Sequence, residues 1–218
     1  MKQIIIDEKL KAILPDFQMG VLYFEATPSE SDGLGSLITE LEDTIEAAYE
    51  LPDVLKIPNI LAARNGYKAL GKDPSRYRLA VESLFRRIVK GNKLYRINNL
   101  VDIGNVLSLK TMRSTAVLDL DRIKGDITIR IGRDEPYEGI GRGDINVENI
   151  PVYCDRVGPF GSTTSDTERT MIREDTKRIC LFIISFNGHT NLKEDLELAM
   201  ELYTNHSNAK GFQQAIVK

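Results

Sequence analysis

The stretch INNLVDIGNVLSLKTMRSTAVLDLDRIKGDITIRIG, residues 97–132, changes its hydrophobic period halfway along. Its first half has apolar residues at helical spacing, which predicts a helix over 98–110 with Asn99 as its N-cap. Its second half alternates apolar and polar residues in AVLDLD (116–121) and DITIRIGR (126–133). This alternation predicts a hairpin with one face buried. Because helices and strands follow each other without regular βαβ alternation, we expect an α+β fold.

The sequence on either side of this stretch continues the mixture of helices and strands. Apolar runs predict strands over GVLYFEA (20–26) and ICLFIISF (179–186), and the second is apolar throughout, which favours a central position in its sheet. An acidic helix is predicted over 36–50. A basic helix is predicted to begin at Asp73 and Pro74 and to stop at Gly91. A final helix is predicted after a capping box formed by Asn191 and Glu194.

Composition identifies an ordinary globular protein and excludes several classes. The chain has 218 residues, of which 42% are hydrophobic and 28% charged. No window approaches eighteen apolar residues, so we expect a cytoplasmic protein without a membrane partner. Cys154 and Cys180 are expected to be buried free thiols, and His189 and His206 surface residues. Neither a metal site nor a cofactor is predicted.

Charge is distributed very unevenly along the chain. Residues 25–53 contain nine acidic residues and no basic one, whereas residues 64–96 contain ten basic residues and two acidic ones. Two interpretations remain open: two solvated helices that face each other, or a basic face for a polyanion such as RNA. The residues predicted to form an exposed RNA-binding face are Arg76, Arg86, Arg87 and Lys90.

The loop GPFGSTTSDTERT, residues 158–170, is the densest cluster of uncommitted polar groups. Its glycines allow close backbone approach, and its six hydroxyl residues with free backbone N–H groups are suited to bind a carboxylate, a phosphate or a polarised carbonyl. The competing interpretation is a solvated loop in which Asp166 caps a helix that begins near Glu168. A second glycine-rich stretch, EGIGRGDIN (138–146), matches no phosphate-binding motif and is expected to form turns.

The sequence over 97–132 resembles the B3/B4 domain of the bacterial phenylalanyl-tRNA synthetase β chain. The family pattern has V-D-[IV]-x-N, a helix, and a small-residue step into a [FL]-D-x-D-x-I-x-G strand pair. Residues 73–88 and the 158–170 loop are similar to the free-standing relatives of that domain, and the resemblance is specific over residues 73–176. The residues that match the pattern are Val101, Asp102, Asn105, Asp119, Asp121, Ile123 and Gly125.

This resemblance implies a three-layer ββα sandwich. It implies one B3/B4-like domain over residues 1–218, with its motif core at 73–176 and an amino-terminal α/β segment, 1–72, packed on it. In the synthetase the domain is a proofreading site that hydrolyses tyrosine mischarged on phenylalanine tRNA. Such chemistry requires an amino-acid pocket, donors for the ester oxyanion, a positioned water and a surface for the tRNA end.

Two departures from the family pattern affect the expected chemistry. Ala116 stands where the synthetases have His, and the acidic residue of their loop aligns near Thr163. Both changes favour binding over synthetase-type editing, and a chain of this length without a class II core is not expected to charge tRNA. If hydrolysis occurs, Asp166 or Glu168 is the predicted base. The predicted ligand pocket is lined by Asn105, Ser162, Thr163, Thr164 and Ser165.

Three functions follow as hypotheses. The first is a module that binds tRNA, aminoacyl-tRNA or a small amino-acid-like ligand. The second is a free-standing aminoacyl-tRNA deacylase. The third is a protein-interaction domain that uses the oppositely charged segments.

Overall fold

A computed structural model describes residues 2–188 and 190–218 of the chain, and the predicted surface residue His189 lies outside them. In this described part, ten strands are present: β1 (Ile4–Ile6), β2 (Gln18–Glu25), β3 (Thr115–Asp119), β4 (Ile127–Ile131), β5 (Glu138–Gly139), β6 (Gly143–Asp144), β7 (Pro151–Cys154), β8 (Pro159–Ser162), β9 (Arg178–Ser185) and β10 (Lys210–Val217). The same residues form seven α-helices: α1 (Glu8–Ile13), α2 (Gly35–Ala48), α3 (Leu51–Val54), α4 (Pro58–Ala69), α5 (Ala80–Ile88), α6 (Asn99–Thr111) and α7 (Leu192–His206).

The strands form two four-stranded sheets. The first has the order β1-β4-β7-β8 and the second the order β10-β2-β9-β3. Strand β9 is central in the second sheet, as the apolar run ICLFIISF predicts, because it pairs antiparallel with β2 on one side and β3 on the other. The amino-terminal segment is built into both sheets, since β1 pairs parallel with β4 and β2 pairs with β9 and β10.

The predicted hairpin between 116–121 and 126–133 is wrong. Strand β3 pairs with β9 in the second sheet, whereas β4 pairs with β1 and β7 in the first. A 3-10 turn at Leu120–Arg122 and Gly125, at φ 88°, carry the chain from one sheet to the other. The alternating pattern shows which face of each strand is buried, but it does not identify the neighbouring strand in the sheet.

Three layers result, in agreement with the expected ββα sandwich. One hydrophobic core lies between the two sheets and contains Met19, Ile129, Tyr153 and Phe182. A second core lies on the other face of the second sheet, where Leu22 and Leu181 pack against the helices. The apolar residues of α6 and α7 belong to this second core, and these two helices contact each other. The protein is therefore α+β.

Several helix boundaries differ from the sequence prediction. Helix α5 begins at Ala80 rather than at Asp73, because Asp73 accepts the backbone N–H of Ser75 and closes a turn instead. Helix α6 is capped by Asn98, whose side chain accepts the N–H of Val101, and not by Asn99. The side chain of Asn99 accepts the N–H of Ser29.

The predicted capping box before α7 is also wrong. Asn191 has a left-handed backbone, at φ 61°, and its side chain makes no capping hydrogen bond.

Both cysteines are buried free thiols, as predicted. The stretch EGIGRGDIN forms the two-residue strands β5 and β6 around a turn, with Gly141 and Gly143 at φ 64° and 66°.

Candidate functional site

The hydroxyl loop, residues 158–170, is closed by its own hydrogen bonds. Ser162 Oγ donates to the carbonyl of Ser165 at 2.8 Å and accepts the N–H groups of Thr164 and Ser165 at 3.3 and 3.1 Å. Thr167 Oγ1 and Thr170 Oγ1 both donate to the carbonyl of Phe160. Ser162, a predicted pocket residue, therefore holds the turn in shape.

Tyr67 of α4 engages the next two hydroxyl groups. Its Oη lies 2.5 Å from Thr163 Oγ1 and 2.9 Å from Thr164 Oγ1, and all three side chains are buried. Burial raises the pKa of Tyr67 to about 12, against the two hydrogen bonds. The carbonyl of Thr163 also accepts the N–H of Ala80 at the start of α5. The predicted pocket residues Thr163 and Thr164 thus join the loop to the helical layer.

Asp166 differs from the rest of the loop. Its Oδ1 is buried and has no hydrogen-bond partner among the described residues. Burial raises the pKa of Asp166 to about 7. The prediction that Asp166 caps a helix is wrong, because the 3-10 turn Glu168–Thr170 starts after Thr167 and has no side-chain cap. A buried carboxyl group with this pKa can serve as a general base near neutral pH.

Two tyrosines surround Asp166. The fully buried Tyr153 has an Oη without a partner in the described part of the chain, and Tyr137 Oη donates to the carbonyl of Ser165. Burial raises the pKa of both tyrosines well above the usual value, and the nearby Asp166 adds to this effect. Gly161 makes the arrangement possible, because a Cβ there would stand 2.6 Å from Tyr153 Cδ2 and 2.7 Å from Asp166 Oδ1.

Glu168 and Ser165 lie at the outer side of the loop. Glu168 is exposed and lines a cavity of about 240 Å³ together with Tyr137, Thr167 and Arg169. Ser165 is half-buried, and its Oγ donates to the carbonyl of Asp166 at 3.3 Å. Each of the six hydroxyl groups of the loop therefore has a partner within the protein, whereas Glu168 is exposed and lines a cavity.

Asn105 lies half-buried in the middle of α6. The hydrogen bonds of the hydroxyl loop run instead to Tyr67, Ala80 and Pro151. Of five well-formed cavities of about 220 to 410 Å³ in the described residues, none is lined by Asn105 or by residues 162–165.

Ala116, at the position of the family's His, is buried between the two sheets. It pairs with Phe182 across the β3–β9 ladder, and both side chains belong to the core between the sheets. Because Ala116 and Phe182 are both apolar, neither side chain can act as a general acid or base.

The four predicted RNA-binding residues have different surroundings. The side chain of Arg76 is 83% exposed in the turn before α5, and Lys90 is exposed just after α5. Arg86 is only 23% exposed and lies 3.9 Å from the buried carboxylate of Glu82. Arg87 is half-buried, and its Nε donates to the carbonyl of Lys93 at 2.6 Å.

Tyr95 is a surface residue that the sequence analysis did not single out. Its side chain is 67% exposed, and the guanidinium of Arg87 lies 3.8 Å from its ring centroid. Arg96 beside it is exposed, and Ile97 is 63% exposed. The signal in the sequence is KLYRI, a run of apolar and basic residues without helical or strand period between Gly91 and Asn98.

The acidic and basic segments meet in the helical layer. The buried carboxylate of Glu42 on α2 accepts the N–H of Leu94 at 2.6 Å. Lys93 lies 3.5 Å from Glu42 and 3.1 Å from Asp43. Part of the charge asymmetry is therefore neutralised inside the protein. Lys90 and Arg96 form no ion pair within the described residues and remain available to a partner.

The described residues hold neither a membrane-spanning helix nor a cluster of metal-ligating side chains. No helix in the described ranges is long and apolar enough to cross a membrane. Residues 2–188 and 190–218 contain no group of three or more His, Cys, Asp or Glu side chains that could hold a metal ion.

Comparison with known proteins gave two matches of different kinds. The family described as "B3/4 domain" matches residues 62–218. Among solved structures, an N-terminal fragment of the phenylalanyl-tRNA synthetase beta-subunit from Pyrococcus horikoshii is similar, with a TM-score of 0.51 and 13% sequence identity. The similarity covers 99% of this chain and 54% of that chain, so this chain spans about half the length of the fragment. No curated protein sequence matches.

Proposed function

The chain belongs to the B3/4 domain family, and from this premise we propose that it binds tRNA, with or without an attached amino acid. The proposed contact is the basic strip, defined as Arg87, Lys90, Tyr95 and Arg96. The fold is shared with part of a synthetase that acts on phenylalanine tRNA, which supports tRNA over other polyanions. The proposed activity is binding, not ligation.

The observation that carries this proposal is the exposed pair of Arg87 and Tyr95. A Tyr ring that is 67% exposed keeps most of its surface in water, although burying it would be favourable. The guanidinium 3.8 Å from its centroid holds the ring in place by a cation–π contact. Fixed aromatic rings beside cations are suited to stack an unpaired base while the cation contacts phosphate.

The remaining charges of the strip fit a phosphate backbone. Lys90 and Arg96 are exposed, and Arg76 is a further exposed cation in the turn before α5. Arg86 contributes less, because its side chain is mostly covered and lies near Glu82. Each phosphate that a cation neutralises releases condensed counterions, so affinity must fall as salt rises.

The test is a salt titration of tRNA binding. Wild-type protein should lose affinity steeply between about 50 and about 200 mM salt. Replacing two cations, in Arg87→Ala/Lys90→Ala, should weaken binding at least about tenfold and reduce the salt slope by roughly two. The matched control, Lys193→Ala/Lys210→Ala, removes the same charge from exposed positions on α7 and β10 and should bind as wild type does.

Two results would refute the proposal. One is wild-type protein that fails to bind tRNA at low salt. The other is equal weakening by the strip variant and by the control, since that would mean that only net charge matters.

A second candidate function, hydrolysis of an aminoacyl ester, is favoured by Asp166. Its carboxyl group has a pKa raised by burial to about 7, close to the value that suits a general base. Asp166 would take a proton from water while the water oxygen attacks the ester carbonyl. The ester C–O bond then breaks, and the proton passes to the leaving RNA hydroxyl.

The other predicted site residues would have supporting roles in this reaction. Glu168, on the adjoining cavity, is the alternative base. Ser162, Thr163, Thr164 and Ser165 would have to exchange present partners for the ester, because each hydroxyl is already hydrogen-bonded. The remaining predicted pocket residue, Asn105, lines none of the five cavities and is given no role in this reaction.

A panel of mischarged tRNAs tests the hydrolase. Asp166→Asn should abolish deacylation, and the wild-type rate should rise with pH through about 7 as the carboxylate forms. Glu168→Gln tests the alternative base in the same loop and should keep the wild-type rate if Asp166 is the base. If both variants retain full activity, neither carboxylate is the base. If wild-type protein hydrolyses no member of the panel, the hydrolase hypothesis fails and the binding hypothesis is unaffected.

A further inference from the structure

Strand β10 forms one edge of the second sheet and is open on its outer side. It runs for eight residues, and in the described part of the chain it pairs with β2 alone. None of its eight residues is buried. A strand of this length extends for about 26 Å and carries a row of outward backbone N–H and C=O groups that no other described strand pairs with.

The other three sheet edges are short or covered. Strand β1 has only three residues. Strand β3 has five, of which Ala116, Leu118 and Asp119 are buried. Strand β8 has four, and the carbonyl of its Phe160 already accepts the N–H of Thr167 from the hydroxyl loop. Among the described strands, β10 is therefore the edge that the fold leaves available for pairing.

The sequence of β10 lacks the side chains that commonly protect an edge strand. The stretch GFQQAIV, residues 211–217, contains no charged residue and no proline. A bulge between Lys210 and Gln213, with Gly211 at φ 70°, distorts only the start of the strand. The rest of β10 can therefore accept another strand beside it.

Half-buried apolar side chains accompany the open backbone on both faces of β10. Phe212 and Ile216 pack against the core under the helices, and Val217 packs against the core between the sheets. Strand β1, the edge of the first sheet, contacts β10, and its Ile5 is 47% exposed. A strand added to β10 covers apolar surface in addition to pairing backbone groups, and both changes favour association.

The strand is complementary to a second copy of itself. Phe212, Gln214 and Ile216 lie on the same face of β10. In an antiparallel pair with a two-fold axis at Gln214, the two Gln214 side chains lie opposite each other, and each Phe212 lies opposite Ile216 of the other copy. Aromatic and β-branched residues form favourable cross-strand pairs, and two amide groups can hydrogen-bond to each other. A shift of the axis by one residue would place Phe212 opposite Gln214 or Lys218, so apolar pairing favours the axis at Gln214.

We propose that two copies of this chain associate by antiparallel pairing of their β10 strands, with the two-fold axis at Gln214. The two four-stranded sheets then continue as one sheet across the axis. Lys210 and Lys218 lie opposite each other only at the two ends of the pair, where both are exposed and salt screens their repulsion. This association does not depend on RNA binding.

Analytical ultracentrifugation of the wild-type chain and of Gln214 variants tests this pairing. Wild-type protein should be mostly dimeric at about 100 µM, since an interface built on one strand edge is small and therefore weak. Because Gln214 lies opposite itself, one substitution introduces two like charges across the axis. Gln214→Lys and Gln214→Glu should each weaken dimerisation about tenfold or more.

A mixture of the two variants provides the decisive arm of the experiment. Equal amounts of Gln214→Lys and Gln214→Glu should form a dimer again, because opposite charges then meet across the axis. This rescue distinguishes strand pairing from a loss of folding. The control Thr44→Lys adds a charge at an exposed position of α2 and should dimerise as wild type does.

Three results would overturn the proposal. The first is wild-type protein that stays monomeric at the same concentration, which would leave β10 open to a strand of another protein. The second is dimerisation of both Gln214 variants at wild-type strength, since a different surface would then hold the dimer. The third is failure of the mixed variants to associate, since the two Gln214 side chains would then not lie opposite each other. None of these results would affect the proposed tRNA binding.

Discussion

The hydroxyl loop and the basic strip are both rich in polar groups, but the fold uses them in opposite ways. In the loop, Thr163 and Thr164 are buried and bonded to Tyr67, and Ser162 closes its own turn. In the strip, Lys90 and Tyr95 remain exposed after folding. Abundance of polar side chains therefore does not identify a binding site. What matters is how many of those groups still lack a partner in the folded protein.

Asp166 is the exception within the loop, and it gives the largest expected effect on stability. Its pKa in the folded protein, about 7, lies above the value of about 3.9 expected for an unfolded chain. The folded state therefore binds the proton more tightly, and the free energy of unfolding must fall as pH rises from about 4 to about 7. Over that window the loss should reach roughly 4 kcal/mol.

The variant Asp166→Asn isolates this titration. It should gain stability relative to wild type as pH rises from about 5 to about 8, by a few kcal/mol. Urea unfolding of both proteins at several pH values measures the difference. A difference that does not change with pH would show that Asp166 is solvated in the folded state, and the contrast between Asp166 and its neighbours would be lost.

Removing one hydroxyl group from each region should sharpen the comparison. Tyr67→Phe leaves Thr163 and Thr164 without their shared partner and should cost about 1 to 3 kcal/mol. Tyr95→Phe removes a hydroxyl from an exposed ring and should change stability by less than about 0.5 kcal/mol. Denaturant unfolding at one pH tests both. Equal losses would contradict the assignment of the loop hydroxyls to the fold.

The smallest expected effect is a difference in tRNA affinity between substitutions of Arg87, in the basic strip, and of its sequence neighbour Arg86. Arg87→Ala should weaken tRNA binding several-fold, because it removes a cation and the support of Tyr95. Arg86→Ala should change it less, because Arg86 is mostly covered and lies beside Glu82. Binding titrations at one salt concentration compare the two. A larger loss for Arg86→Ala would move the contact surface away from Tyr95.

The sequence predicted the class of fold better than the pairing of its strands. The period change over 97–132 located α6, β3 and β4, and the apolar run of β9 indicated its central place. The partner of β3 was missed, because an alternating strand buries the same face whether it pairs with its neighbour in sequence or with β9. The three layers followed from the family resemblance and not from periodicity.

At the candidate site, too, the local sequence does not show contacts with distant residues. The sequence singled out the hydroxyl loop, but the partner that occupies Thr163 lies 96 residues away, at Tyr67. Such a distant contact leaves no local pattern, so the loop hydroxyls were expected to be free. Tyr95 was missed because nothing in its local sequence marks it as exposed. Its segment has no period, and only exposure in the folded protein distinguishes a surface tyrosine from a buried one.

The tRNA affinity of Tyr95→Ala, measured beside that of Tyr67→Phe, tests the central claim most directly. If the strip binds tRNA, Tyr95→Ala should lose about 1 to 3 kcal/mol of binding free energy, which is the contribution of one stacked base. Tyr67→Phe should bind as wild type does, although it unfolds more easily. Wild-type affinity in Tyr95→Ala would contradict the account. A loss confined to Tyr67→Phe would contradict it as well and would favour the hydroxyl loop as the tRNA contact.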